Sequence, residues 1–450
     1  MVFVRIVTFH KVCYTPAQIE LRKDRSCMGS SHPRNGIMAW LVCLSAGLFF
    51  FYEFFQLNIF DVINQSLRND FQLNATQLSW MSSTYLWANI LFLLPAGLIL
   101  DRYSTRKVII IALSVCVIGT FGFAISHNFA LASFTHFLSG IGNAFCFLSC
   151  VVLVSQWFSS NKQALVIGSI VTMAFLGGMM AHSPFAYLVD NQGWRNAMLI
   201  NGMFGLVILA WISFIIKDQP LGSEDRKRPF DSSLLLCLKE TISNKQTWLP
   251  GLYTSFLNLP IMVLCALWGA SYLHKVHGLS EISASTTVSF IFIGSIIGCP
   301  LAGWMSDTSG RRKPLMIVGA IVSFIVLIPL FLNIHLSQTQ LNSLFFALGL
   351  FTSTQVISYP LIAESNRSHN TGVATGLASI IIMGGGGVGQ VLFGWLVQKS
   401  AGIDNQSYSA ADFQYAMWMF PITAIAALIA VWFTRETYCK QLRSLDANGK

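Results

Sequence analysis

The chain has 450 residues, of which 54% are hydrophobic and only 10% charged, and its mean hydropathy is +0.60. Soluble domains carry about 25% charged residues, so there is too little polar surface here to cover a water-soluble globule, and lipid is the solvent for most of the chain. A net charge of +9 would suit a nucleic-acid partner, but the basic residues are placed for another purpose, described below, and no nucleic acid is expected.

In chain order, residues 1–36 form a polar, basic tail without the short apolar core of a signal peptide. Met28 offers an alternative start, since Met28-Gly29-Ser30 leads directly into the first apolar run. Segments of about 20 apolar residues, the length that crosses a bilayer as a helix, then recur. They lie near 37–64, 78–100, 108–127, 129–156, 163–188 and 196–216. A polar stretch follows at 217–247, and six more lie near 248–273, 284–305, 314–334, 341–363, 371–398 and 412–434. The expected fold is an all-α membrane protein of twelve transmembrane helices, here spans 1 to 12. The expected organisation is a tail (1–36), a six-helix bundle (37–216), a linker (217–247), a second bundle (248–434) and a C-terminal tail (435–450).

None of the twelve predicted spans contains Lys or Arg. With both termini in the cytoplasm, 24 of the 28 Lys and Arg fall on the cytoplasmic side and 4 on the other. Such a bias sets membrane orientation, and one missed span would scramble it. The basic pI is a topogenic signal and a contact for anionic lipid.

The ten cysteines show no CxxC pair and no Cys/His cluster. Cys43, Cys116, Cys146, Cys150, Cys265 and Cys299 sit in apolar runs, as helix-packing thiols do. No disulfide framework, metal site or cofactor is expected.

The chain repeats itself. Gly97, Asp101, Arg106 and Lys107 after span 2 recur 206 residues later as Gly303, Asp307, Arg312 and Lys313 after span 8. Gly168, Gly177 and Gly178 of span 5 recur 208 later as Gly376, Gly385 and Gly386 of span 11. Two halves of like topology joined by a solvated linker are the plan of a rocking carrier. In these features the sequence resembles the major facilitator superfamily, whose signature Gly-x-x-x-Asp-x-x-(Gly/Ser)-x-Arg-Lys it carries twice, and Gly193-Trp194-Arg195 before span 6 is also similar. It departs from the family in span 4, where His136 replaces an Arg, and in span 5, where Ser183-Pro184 follows the glycines in place of a Gly-Pro pair. Leu267-Trp268-Gly269 and Tyr272-Leu273 resemble a subgroup containing lysosomal dipeptide carriers and their bacterial relatives.

The resemblance implies that the signature loops latch the two halves together on the cytoplasmic side. The gating residues are then Asp101, Arg102, Arg106, Asp307, Arg311 and Arg312, with the starts of spans 11 (Ser368, Asn370) and 5 (Ser160, Asn161) as partners.

An acid within a span is a functional candidate by default. Glu53 and Asp61 are the acids that lie inside a span rather than at its first residue, and Asp61 is near enough to the outer end of span 1 to reach water. Glu53 stands about 24 Å above the inner start of span 1, and His136 about 10 Å into span 4 from the outside, so the two reach similar depth. The resemblance places spans 1, 4, 7 and 10 around a central cavity. Glu53 and His136 are therefore candidates to carry a proton across, and Glu53 alternatively answers a substrate ammonium. Gln56, Asn258, Gln355 and Tyr359 complete the candidate site, with Asn58, Asn89, Asn143 and Gln390 as further polar positions. Gly384 to Gly387 in span 11 form a close-packing or bending element.

The expected function is secondary active transport of a small organic solute by alternating access, coupled to protons, by a monomer embedded in the lipid bilayer. Without a Lys or Arg in the cavity, a zwitterionic solute such as an amino acid or dipeptide fits better than a phosphate ester. A multidrug or siderophore exporter of the same fold is the alternative. An enzyme is not expected, since no Walker A, HExxH or nucleophile motif occurs. Asn64, Asn74 and Asn405 stand in glycosylation sequons on the outer side.

Overall fold

A computed structural model describes residues 36–158, 160–218, 234–332, 334–367, 370–402 and 408–440. The alternative start at Met28 and the sequon at Asn405 lie outside them. Among the described residues, eleven stretches are long and apolar enough to cross a membrane. The longest, Leu165–Ile215, has 51 residues and makes two crossings: its chain reverses at Gly193, whose φ of 76° and ψ of 157° leave the helical region. Twelve spans result.

Span 1 is Gly36–Phe71, span 2 Ala75–Arg102, span 3 Thr105–Ala124 and span 4 Phe129–Trp157. Span 5 runs through Ser160–Met180 and, after a break at Ala181 and His182, through 183–192; span 6 is the remainder of Ser183–Ile215 beyond Gly193. A short helix, Leu234–Ser243, precedes span 7. Span 7 is irregular: Lys245–Leu257, a π-helical stretch Ile261–Trp268, and Gly269–His277. Spans 8, 9 and 11 are Glu281–Ser309, Lys313–Phe331 and Thr371–Ala401. Span 10 passes from Gln338–Thr352 through a 3₁₀ turn to Ser358–Glu364, and span 12 is Ala410–Met417 followed by Met419–Phe433.

The helix ends follow from sequence. Asn74 caps span 2 by accepting the Gln77 N–H while Gln77 returns to the Asn74 N–H, and Ser337 with Gln340 does the same for span 10. Asn128 and Ser280 cap spans 4 and 8. Gly278 and Gly310, both at positive φ, end spans 7 and 8. Along span 3 and its C-cap, Ile111, Ile118 and Ile125 recur every seventh residue and are all more than 60% exposed, a stripe that faces lipid.

The two halves share one apolar core only toward the side bearing few basic residues, here the outer side. There Phe60, Phe123 and Trp194 of the first half pack into one cluster with Trp268, Phe292 and Phe393 of the second. Toward the inner, basic side the core divides. One cluster (Phe49, Ile109, Leu153, Ile212) belongs to the first half alone, and another (Tyr253, Met316, Leu361, Val431) to the second alone.

Candidate functional site

The glycines of span 11 act as a ruler for how far the halves stay together. A Cβ at Gly394 would collide with Ser79 of span 2, and one at Gly387 would touch Trp87 at 3.5 Å. At Gly384 the nearest atom is Ile90 Cδ1 at 3.8 Å. Gly376 lies eleven residues inward of Gly387 on the same helix face, and there a Cβ meets nothing within 4 Å. Span 2 repeats the pattern: Leu86 lies against Gly387, while Gly97, eleven residues inward, meets nothing. The molecule is closed at the outer side and parted at the inner side.

Polar contacts across the outer seal fix that state. The Ala75 N–H donates to Gln398 Oε1 (3.0 Å) and Tyr408 Oη (2.6 Å), and the Trp268 indole donates to Ser79 Oγ (3.1 Å). Asn64 Nδ2 donates to the Leu267 carbonyl at 2.6 Å, so this sequon is buried in the seal. Arg68 lies 4.0 Å over the Tyr408 ring. Asp61 is not at the water edge. It is 1% exposed and accepts the Ala270 N–H of span 7 at 2.9 and 3.1 Å, with His182 of span 5 at 3.5 Å.

Glu53 is fully buried inside the first bundle, among spans 1 to 4. Its Oε2 accepts the Tyr85 hydroxyl at 2.6 Å, and Asn143 Nδ2 donates to the same hydroxyl at 2.9 Å. Its Oε1 has no hydrogen-bond partner and faces Gly142, where a Cβ would collide with it. His136 stacks on the other part of the cluster, with its ring 5.3 Å from Tyr85 and 4.2 Å from Phe60. Tyr85 therefore stands between Glu53 and His136. Gln56 donates to Thr120 Oγ1 at 2.8 Å, also inside the first bundle, and Asn58 donates to the Phe54 carbonyl.

The second-half candidates stand apart from that cluster. Asn258 ends the first segment of span 7, and Gln355 lies in the 3₁₀ turn of span 10, where its carbonyl accepts Thr254 Oγ1 at 3.1 Å. Tyr359 and Gln355 are half-buried. Gln390 donates to the Met262 carbonyl. The four consecutive glycines leave span 11 unbroken and act through closeness: a Cβ at Gly385 would collide with Ser255 and one at Gly386 would press on Met262, both of span 7.

The sequence matches the Major Facilitator Superfamily over residues 42–307 and 272–444. The chain belongs to that superfamily. It is 24% identical over 308 residues to a probable hexose phosphate transport protein of Chlamydia muridarum (strain MoPn / Nigg), covering 62% of this chain and 67% of that one. It is 24% identical over 272 residues to the membrane sensor protein UhpC of Escherichia coli (strain K12), covering 56% of this chain and 60% of that one. Among solved structures it is similar to a bacterial homologue of the human lysosomal transporter Spinster in an inward-facing, occupied conformation. That match has a TM-score of 0.72 at 17% identity, over 90% of this chain and 97% of the other. It is also similar to the D-xylose–proton symporter, with a TM-score of 0.72 at 16% identity, over 89% and 99%. This superfamily member is a multi-pass membrane transporter and not an enzyme.

In the carrier's parted inner side, the second signature loop is bonded within its own half. Arg312 is buried, its guanidinium on Asp307 (2.6 Å), Ser306 (3.0 Å) and Glu364 of span 10 (2.8 Å). Burial opposes its charge, but Glu364 and then Asp307 hold the guanidinium above its ordinary range. Glu436, just past span 12, accepts the N–H groups of Arg312 and Lys313 and so caps span 9. The first loop mirrors this: Asp218, just past span 6, accepts the Ser104 hydroxyl and the Arg106 N–H (2.7 Å), and Arg106 reaches the Ser213 carbonyl. Arg102 and Arg311 are exposed. Asn370 donates to Glu240 of the linker helix. The side chains of Asp101, Ser160, Asn161 and Ser368 lie outside the described residues. Gly193-Trp194-Arg195 ties outer helix ends together: Trp194 and Arg195 both bind Asp70 of span 1, and Arg195 also takes the carbonyls of Ala124 and Ser126 after span 3.

Sequence reasoning missed His182, Tyr85, Asp218 and Glu436. His182 had one available signal, a histidine in an apolar run two residues before Pro184. The two capping acids had another, an acid at equivalent distance past the sixth helix of each half.

Proposed function

We propose that this carrier moves a small neutral or zwitterionic organic solute, such as an amino acid or dipeptide, in step with a proton held at Glu53. The observation that carries the reading is the Glu53 cluster. A carboxyl sealed among four helices of a bundle that must rock, with one oxygen on Tyr85 and no cationic contact, is compensated at least cost by a proton. Tyr85 and Asn143 hold the carboxyl in place, and the Tyr85 ring links it to His136. Gln355, Tyr359 and Asn258 would supply neutral polar groups from spans 7 and 10 of the second half. The described spans carry Lys and Arg only at their ends, which argues against a phosphorylated solute despite the likeness to a hexose phosphate transport protein. In the cycle, the inner signature loops would leave their present partners and close the inner side as the outer seal opens.

The test is uptake into proteoliposomes of the full chain, with an inward proton gradient and labelled amino acids, dipeptides and sugars. Gradient-driven accumulation should be lost in Glu53→Gln while solute exchange without a gradient persists. Accumulation that ignores the gradient, or that survives Glu53→Gln, overturns the coupling. Failure to move any solute in either direction favours a sensor role of the kind named in one relative.

A further inference from the structure

Asp61 and His182 form a second buried titratable pair, which the coupling reading does not use. His182 sits where span 5 breaks: helix Ser160–Met180 ends, Ala181 and His182 turn, and Pro184 opens the next helix. Both side chains have 0% exposure, with His182 Nδ1 3.5 Å from Asp61 Oδ2. Neither ring nitrogen has a hydrogen-bond partner beyond this approach, and the ring packs on Phe292 of span 8 at 5.6 Å between centroids. Asp61 also accepts the Ala270 N–H of span 7. The pair thus belongs to the first half, and the surfaces that bury it, Phe292 and Ala270, belong to the second.

Directly outside Asp61 is a pocket of about 120 Å³ that opens to the outer side. The ionisable groups facing the pair are Arg68 of span 1, Asp190 of span 5, Cys265, His274 and Lys275 of span 7, and Glu281 of span 8. Arg68 is turned over the Tyr408 ring, and Asp190, His274, Lys275 and Glu281 border the open pocket.

A carboxylate beside a neutral imidazole would carry a whole, uncompensated negative charge into the closed seal, which low-dielectric surroundings strongly disfavour. The Ala270 N–H offsets only part of that. One proton shared by the pair makes it neutral, keeps the Ala270 bond and turns the 3.5 Å approach into a charge-assisted contact. When the second half swings away, Ala270 and Phe292 leave with it and Asp61 faces pocket water, where its charge is solvated. We infer that Asp61 and His182 form a proton-binding site built into the outer seal: closing the seal takes up one proton from the outer side, and opening returns it there. External acidity then favours the outer-closed state. The inference rests on the outer seal opening during the cycle, and not on the solute or on Glu53.

The experiment uses the full chain in nanodiscs, with spin labels carried by non-canonical residues at positions 127 and 335. These mirror-related outer loops are both exposed. Interspin distances are recorded from about pH 5.5 to 9. The ratio of short (closed) to long (open) distances should rise as pH falls, by up to tenfold per unit, because the closed state binds one more proton. Asp61→Asn should remove the dependence, and His182→Gln should move its midpoint to lower pH. Glu53→Gln should retain the dependence even where uphill transport is lost, which separates this site from the coupling reading. A ratio independent of pH in the unsubstituted chain, an intact dependence in Asp61→Asn, or an unmoved midpoint in His182→Gln overturns the inference.

Discussion

Replacing Gly394 by Ala should tip the carrier toward the outward-open state. The added Cβ would lie 2.5 Å from the Ala75 carbonyl oxygen and 2.8 Å from Ser79 Cβ, in backbone-to-backbone contact between spans 11 and 2. It would also push on the Ser79 hydroxyl that receives the Trp268 indole. The clash exists only while the outer seal is closed. Overpacking of this kind costs about 1–3 kcal/mol, and here the cost falls on one of two states, so their ratio shifts about 5- to 150-fold. The readout is the labelling rate of an Ala270→Cys probe by a membrane-impermeant maleimide applied from the outer side. Ala270 is 7% exposed under the closed seal, so its labelling reports opening. Gly376→Ala is the opposing control: its Cβ meets nothing in the present state but would hinder closure of the inner side, so it should slow labelling or leave it unchanged. Unchanged labelling in Gly394→Ala, or acceleration by both substitutions alike, would refute the reasoning.

Other consequences follow from the same contacts. Arg312→Met strands Glu364 and Asp307 beside an apolar side chain and removes the brace between spans 8 and 10; breaking such a buried pair costs about 3–5 kcal/mol. Thermal unfolding in detergent should show a marked loss of stability, and Glu364→Gln added to Arg312→Met should cost much less than it does alone. An unaltered unfolding midpoint in Arg312→Met would contradict the buried placement. Gly142→Ala drives a methyl into Glu53 Oε1 and to 3.1 Å from Cys116 Cβ. It should lower stability by about 1–3 kcal/mol and abolish uphill uptake, whereas Gly97→Ala, in open space, should leave stability unchanged. Normal uphill uptake in Gly142→Ala would show that the position of the carboxyl does not matter.

The twelve crossings, the duplication and the basic side were legible because each is a long-range property of the chain. Apolar length counts spans, and the alternation of Lys and Arg checks the count. Gly193 shows the same economy: a glycine between two apolar runs proved to be the reversal between spans 5 and 6. The site was less legible because burial inside a bundle depends on which helix faces meet. Glu53 and His136 were matched in depth, but depth says nothing of rotation, and it is Tyr85 of span 2 that lies between them. Asp61 looked able to reach water because it lies ten residues from the end of a 36-residue helix, yet span 7 covers it with a backbone N–H. The signature-loop arginines were read as partners across the halves. In the inner-parted state, Arg312 satisfies its charge on Glu364 within its own half, a contact that links residues 52 positions apart and leaves no trace in local sequence. The irregular turns of spans 7 and 10 lie beside Pro260 and Pro360, and a proline alone does not show which backbone bonds give way.

Alternation of the two closures is tested most directly by a Gly97→Cys/Gly376→Cys pair, since neither position has any atom within 4 Å of its Cβ in the present state. If the bundles rock as described, these positions on facing surfaces of spans 2 and 11 approach each time the inner side closes. A short bifunctional thiol reagent should then link them progressively in transporting vesicles, arresting transport, and cleavage of the linker should restore it. Steady transport with no link formed would contradict the account.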